Sequence, residues 1–90
     1  MTKKEPRTIT LKDLAKATSS TPDQVKTVLG TVWTTDLLAA ASGYAPRYIR
    51  WRVANRRIAG GLKIGRDWIV SREGGDAWLK EIGVTLELGF

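Results

Sequence analysis

The chain of 90 residues contains no cysteine and no histidine. Without cysteine there is neither a disulfide framework nor thiol chemistry, which fits a reducing compartment. Losing both residue types also removes the commonest nucleophile, general base and metal ligand, so carboxylates alone remain for acid–base work. Glu73 and Asp76 fall at the start of an expected helix, where the helix dipole favours acids without any catalytic role. Gly60 to Gly65 has the spacing of a phosphate loop, but Arg66-Asp67 follows where a Lys and a Ser or Thr are needed. The expectation is a protein that is not an enzyme and that uses no metal and no cofactor.

Long apolar runs are missing too. Nothing approaches the ~20 residues of a membrane span, and Met1 to Thr8 lack the apolar stretch of a signal peptide. This reads as a soluble, cytoplasmic protein that does not engage a membrane. Ninety residues also leave little room for an enclosed cleft. They suit one compact unit, or two very small modules sharing one core.

Arginine is what the chain has in plenty. Lys and Arg number 15 against 9 Asp and Glu, for a net charge of +6. Within residues 44–80, Arg47, Arg50, Arg52, Arg56, Arg57, Lys63, Arg66, Arg72 and Lys80 face only Asp67, Glu73 and Asp76. The planar guanidinium binds phosphate and guanine through two hydrogen bonds at once, so such a block points to nucleic acid; a solvated basic face is the plainer alternative.

Residues 1–8 are polar and read as a flexible basic arm. Residues 9–32 read as a helical unit. Leu11, Leu14, Ala15 and Ala17 lie at helical spacing, Thr18-Ser-Ser-Thr21 interrupts them, and Pro22 opens a second helix that turns Val25, Val28 and Leu29 inward. The layout returns 24 positions later, with Leu38, Ala39, Ala41, Pro46, Ile49 and Val53 echoing Leu14, Ala15, Ala17, Pro22, Val25 and Leu29. Residues 33–81 hold this second unit. Thr35 is its expected N-cap and Ser42-Gly43 its turn. Ala59-Gly-Gly61 ends the second helix. Leu62 to Ile64 and Trp68 to Val70, around Gly65-Arg66-Asp67, then read as a β-hairpin. Ser71 caps a last helix that presents Ala77, Trp78, Leu79 and Ile82, and Gly74-Gly75 obliges that helix to rely on packing. Trp68 and Trp78 are assigned to the core.

From Thr35 to Glu81 the order of these pieces resembles the MerR-type winged helix of excisionases and related small regulators of prokaryotes, phages and mobile elements. The resemblance rests on Leu38-Ala39, Ser42-Gly43, Ala45-Pro46-Arg47, Ile64-Gly65-Arg66-Asp67-Trp68 and Ala77-Trp78-Leu79. Departures are Arg52, where the family usually has an apolar residue, Ser71 in place of a frequent Pro, and Gly74-Gly75. Residues 10–29 are similar, less closely, to the helix-turn-helix of lac-repressor-type headpieces. There Ser19 and Ser20 replace the turn Gly and its apolar neighbour, and Lys26 stands against Asp23. An acid at the helix start repels phosphate, so this unit is read as supporting the fold or contacting protein. The expected fold class is mainly α with a small β-hairpin: a winged helix-turn-helix preceded by an N-terminal helical pair.

On a wheel of 100° per residue the second helix sets Ile49 and Val53 opposite Arg47, Arg50, Trp51 and Ala54. Arg47 and Arg50 are the candidates for guanine O6 and N7, with Tyr48 and Trp51 touching sugar, phosphate or a thymine methyl. Trp51 packed on the wing is the alternative. Arg56, Lys63 and Arg66 complete the candidate DNA-binding set, Arg66 at the hairpin tip facing the backbone or the minor groove. In residues 82–90, Ile82, Val84, Leu86, Leu88 and Phe90 alternate with small or polar residues, a strand signal. That stripe either folds back on the chain's own core or, the reading taken here, joins a neighbouring protomer and gives a homo-oligomer along DNA.

The resemblance implies a sequence-specific double-stranded DNA-binding protein, an excisionase or recombination directionality factor that organises DNA for a site-specific recombinase. A small transcriptional regulator is the alternative; such proteins generally continue into a long dimerisation helix, and this chain stops about a dozen residues after Trp78. A protein-interaction module such as an antiactivator is a third reading, opposed by Arg47, Arg50, Arg52, Arg56 and Arg57.

Overall fold

The computed structural model of the chain describes residues 7–89. Five helices and five strands follow one another: β1 (Arg7–Thr10), α1 (Leu11–Ala17), α2 (Pro22–Leu29), β2 (Val32–Thr34), α3 (Thr35–Ser42), α4 (Pro46–Ala54), β3 (Gly61–Ile64), β4 (Asp67–Ser71), α5 (Arg72–Glu81) and β5 (Val84–Glu87). The fold is thus mixed α/β, which corrects the mainly helical expectation. Three of the five strands, β1, β2 and β5, lie outside the hairpin.

Hydroxyl side chains set most of the helix starts. Thr10 and Thr21 each close a reciprocal capping box, with Asp13 and Gln24 respectively. Ser71 accepts from the Gly74 N–H at 3.0 Å. At α3 the cap is Thr34, which accepts from Leu37 N–H at 3.1 Å. Thr35, the expected cap, is instead the first helical residue and is buried. Thr34 ends β2 in extended backbone, the conformation an N-cap needs.

The two helix pairs share their framework. Leu14, Ala15, Val25 and Leu29 are buried, as are Leu38, Ala39, Ile49 and Val53 at the positions 24 residues on. Both turns place a left-handed residue at the matching point, Ser19 with φ 55° and Gly43 with φ 83°. They differ at Ala17, which is exposed, and Ala41, which is fully buried.

Antiparallel β2, β4 and β3 form one sheet in that order, with Trp33 opposite Val70 and Lys63 opposite Trp68. One face of it carries the buried Trp33 and Val70. The other turns Leu62 and Ile64 to solvent. Trp33 is fully buried, its Nε1 donating to Asp76 Oδ1 at 2.7 Å. Arg72 Nε donates to both Asp76 oxygens at 2.9 Å, and its Nη1 to the Leu29 carbonyl at 2.8 Å. This network ties β2 and the end of α2 to α5. It also explains the two helix-weakening glycines of α5: a Cβ at Gly75 would strike the Trp33 indole and one at Gly74 the Ala59 carbonyl. Close approach is gained at a cost of ~1 kcal/mol of helix propensity per glycine. Trp78 and Leu79 are buried as expected, whereas Ala77 is exposed and Trp68 only half-buried.

The first and last strands meet. Strand β5 pairs in parallel with β1, Arg7 opposite Val84 and Ile9 opposite Leu86. Arg7 and Thr8, expected in the arm, therefore belong to a strand; residues 1–6 lie outside the described ones. Val84 and Leu88 are buried, and Ile82 and Leu86 pack against the same core. The apolar stripe expected to serve a neighbouring protomer is spent on its own chain, because Ile9 and α5 lie within reach; Phe90 lies outside the described residues. Among the described residues no helix is long and apolar enough to cross a membrane.

Candidate nucleic-acid interface

Helix α4 opens with Pro46, whose fixed φ suits the first helical position. Ile49 and Val53, four residues apart, anchor it in the core and so dictate what faces outward. Arg47, Tyr48, Arg50 and Trp51 are all exposed, Trp51 to 51% and Tyr48 to 38%. The helix has no acidic residue in its first turn, and Ala45 supplies no side-chain cap.

The helix ends in a Schellman motif. Arg56 N–H donates to the Val53 carbonyl at 3.1 Å and Arg57 N–H to the Arg52 carbonyl at 2.7 Å, with Arg56 left-handed at φ 57°. Glycine is usual at that position because other residues pay roughly 1 kcal/mol there. Both arginines are exposed. Beyond them the root of the hairpin rests on α4, since a Cβ on Gly61 would collide with the Val53 side chain. The hairpin closes through Gly65-Arg66, with Gly65 at φ 60° as a two-residue loop requires at its first position. Arg66 is exposed at the tip. Lys63 is exposed as well, and its Nζ lies 5.8 Å from the Trp68 ring centroid, over the ring face. One helix face thus brings together Arg47, Tyr48, Arg50 and Trp51, while Arg56, Lys63 and Arg66 follow from its C-terminal end to the hairpin tip.

Two basic residues of the same block do other work. Arg72 belongs to the Trp33–Asp76 network. Arg52 is half-buried: its Nη1 donates to Tyr48 Oη at 2.9 Å, and its guanidinium lies 5.6 Å from the Tyr48 ring centroid and 5.7 Å from that of Trp78. Its buried Nε has no acceptor. Sequence reasoning counted Arg52 in the basic block and marked it as a departure from the resemblance, and it passed over Tyr44. Tyr44 is 41% exposed and packs on Tyr48 with ring centroids 4.9 Å apart. The four-residue spacing of Tyr48 and Arg52 on α4 was the available signal for Arg52; Tyr44 lies before the helix, where that rule does not apply.

Among the described residues no group of three or more acidic side chains is placed to hold a metal. A surface hollow of about 410 Å³ lies between the two helix pairs and is lined by residues that include Ala17, Ser19, Asp36, Ala39, Tyr44 and Pro46. Its only formal charge is Asp36, so it has no chemistry for an anion. No protein-family model, no curated protein and no solved structure matches the chain.

Proposed function

We propose that the chain is a sequence-specific double-stranded DNA-binding protein in which α3 and α4 act as a helix-turn-helix and β3–β4 as its wing. One observation carries this reading: the core-anchored α4 turns Arg47, Arg50 and Trp51 outward, with no acid on the helix. A helix of this length fits the major groove, where Arg47 and Arg50 meet guanine O6 and N7. Arg56, Lys63 and Arg66 supply the phosphate contacts that set register and affinity. The role we assign is that of a recombination directionality factor, arranging DNA for a site-specific recombinase. Footprinting on the DNA around its own gene tests the role: protection inside an attachment region supports it, and protection across a promoter replaces it with transcriptional regulation.

The division of labour is tested on duplexes selected from a randomised pool. Arg47→Ala or Arg50→Ala costs ~1–3 kcal/mol on the selected site and relaxes base preference, whereas Arg66→Ala weakens all sequences evenly and lowers the salt slope by about 1. Equal losses of Arg47→Ala on selected and random DNA contradict base reading by that residue. A second reading draws on Tyr44, Tyr48 and Trp51, since exposed aromatics beside arginine are also the composition of protein-binding hot spots. Absence of duplex binding at low salt leaves that reading standing alone.

A further inference from the structure

The outward direction of α4 is fixed by Ile49 and Val53, and the residue directly opposite them is Trp51, with Arg47 beside it. Trp51 is the most exposed aromatic among the described residues. If α4 enters the major groove, as the proposed function has it, the indole stands at the apex of the inserted face.

An indole has one N–H donor and is otherwise apolar. The apolar feature of the base edges in the major groove is the 5-methyl group of thymine. We propose that Trp51 reads a thymine methyl and that Arg52 is a positioning residue for this contact.

The ring is held for such a role. Trp51 and Tyr48 are stacked, with planes 19° apart and centroids 6.2 Å apart. Tyr48 in turn packs on Tyr44, and its hydroxyl is fixed by Arg52, whose guanidinium also covers the ring of the buried Trp78. A chain of contacts therefore runs from the core to the apex of α4. Arg52 holds it despite a buried Nε with no acceptor, a penalty an apolar side chain at this position avoids. Position 28 of the first helix pair, equivalent by the repeat, is such a side chain: Val28 packs against the core. The unsatisfied donor is offset where Tyr48 and Trp51 need a fixed orientation, and there is none to fix around Val28. The preorganised indole loses little rotamer freedom on binding, which favours contact with a small target such as one methyl.

The test uses the full chain and duplexes selected from a randomised pool. Each thymine is replaced in turn by deoxyuridine, which removes only the methyl. Uracil at one or two positions lowers affinity about fourfold, the worth of one buried methyl. Trp51→Ala binds less tightly and no longer distinguishes thymine from uracil there. Tyr48→Phe, which keeps the ring and loses the acceptor for Arg52, remains folded by circular dichroism and shows reduced discrimination. Arg52→Met, also checked for folding, retains the salt dependence of binding and loses discrimination, an effect a purely structural role of Arg52 does not produce. Uracil tolerated at every position while Arg47→Ala still weakens binding overturns the methyl reading and leaves DNA recognition by α4 in place. Full discrimination by Trp51→Ala overturns it as well. No duplex binding by the native chain removes both.

Discussion

Helix pairs α1–α2 and α3–α4 are two versions of one design, and they differ almost entirely on the surface. Leu14, Ala15, Val25 and Leu29 match the buried Leu38, Ala39, Ile49 and Val53, and both turns place a left-handed residue at the same point. Outward, Asp23 stands where the second pair has Arg47, Lys26 where it has Arg50, and Thr27 where it has Trp51. The helix ends differ in the same sense. Thr21 and Gln24 satisfy the first N–H groups of α2, whereas Ala45 leaves those of α4 without a side-chain acceptor. A helix start with no acid favours anions more than one that carries Asp23. The lesson is that the core pattern specifies a helix pair, and a few exposed positions specify whether it suits a polyanion.

Grafting the α2 face onto α4 breaks the comparison most severely. The triple variant Arg47→Asp, Arg50→Lys, Trp51→Thr keeps Ile49 and Val53, so circular dichroism reports an intact fold, while duplex affinity falls by at least ~3 kcal/mol in an anisotropy titration. Next comes the cap. Thr21→Ala destabilises the chain by ~1 kcal/mol in chemical denaturation, because it leaves an N–H of α2 unsatisfied, and does not change DNA affinity. Among the described residues, the two left-handed ones that are not glycine, Ser19 and Arg56, sharpen the contrast further. Ser19→Gly and Arg56→Gly each relieve backbone strain and stabilise by up to ~1 kcal/mol, but only Arg56→Gly also weakens DNA binding. Stabilisation in both with binding unchanged in both returns Arg56 to an ordinary helix end. Smallest of all, Gln24→Ala and Lys26→Ala shift DNA affinity by less than ~0.5 kcal/mol, because the account leaves the α2 face off the DNA; Gln24→Ala, which removes the acceptor of the Thr21 N–H, shows instead as a small loss of stability.

Helices proved far more legible than strands. Pro22 and Pro46 at helix starts, apolar residues at three- and four-residue spacing, and Ser or Gly at the turns each carry a local physical reason, and all were readable. Strands β1 and β2 are four and three residues long, too short for an alternation to register, and exist through partners far along the chain. The alternating tail was recognisable as a strand, but its partner was not, since nothing in Arg7-Thr-Ile-Thr10 announces that it pairs with Val84 to Glu87. Gly74 and Gly75 looked like flaws in a helix until Trp33 and Ala59 were seen beneath them. At the candidate interface, the outward set Arg47, Arg50 and Trp51 followed from periodicity alone. The internal engagement of Arg52 and Arg72 did not, because a basic side chain packed on an aromatic ring or bridging to a backbone carbonyl reads in sequence like any solvated one.

The central claim is that the exposed face of α4, continued by the hairpin, binds duplex DNA, and a salt titration tests it most directly. Anisotropy of a labelled duplex, measured with the full chain as salt is raised, should show affinity falling linearly on a log–log plot with a slope of about −0.9 for each phosphate contact. Several contacts from Arg56, Lys63, Arg66 and the start of α4 give a steep line, and the α2-face graft flattens it. No binding at low salt, or binding indifferent to salt, contradicts the account.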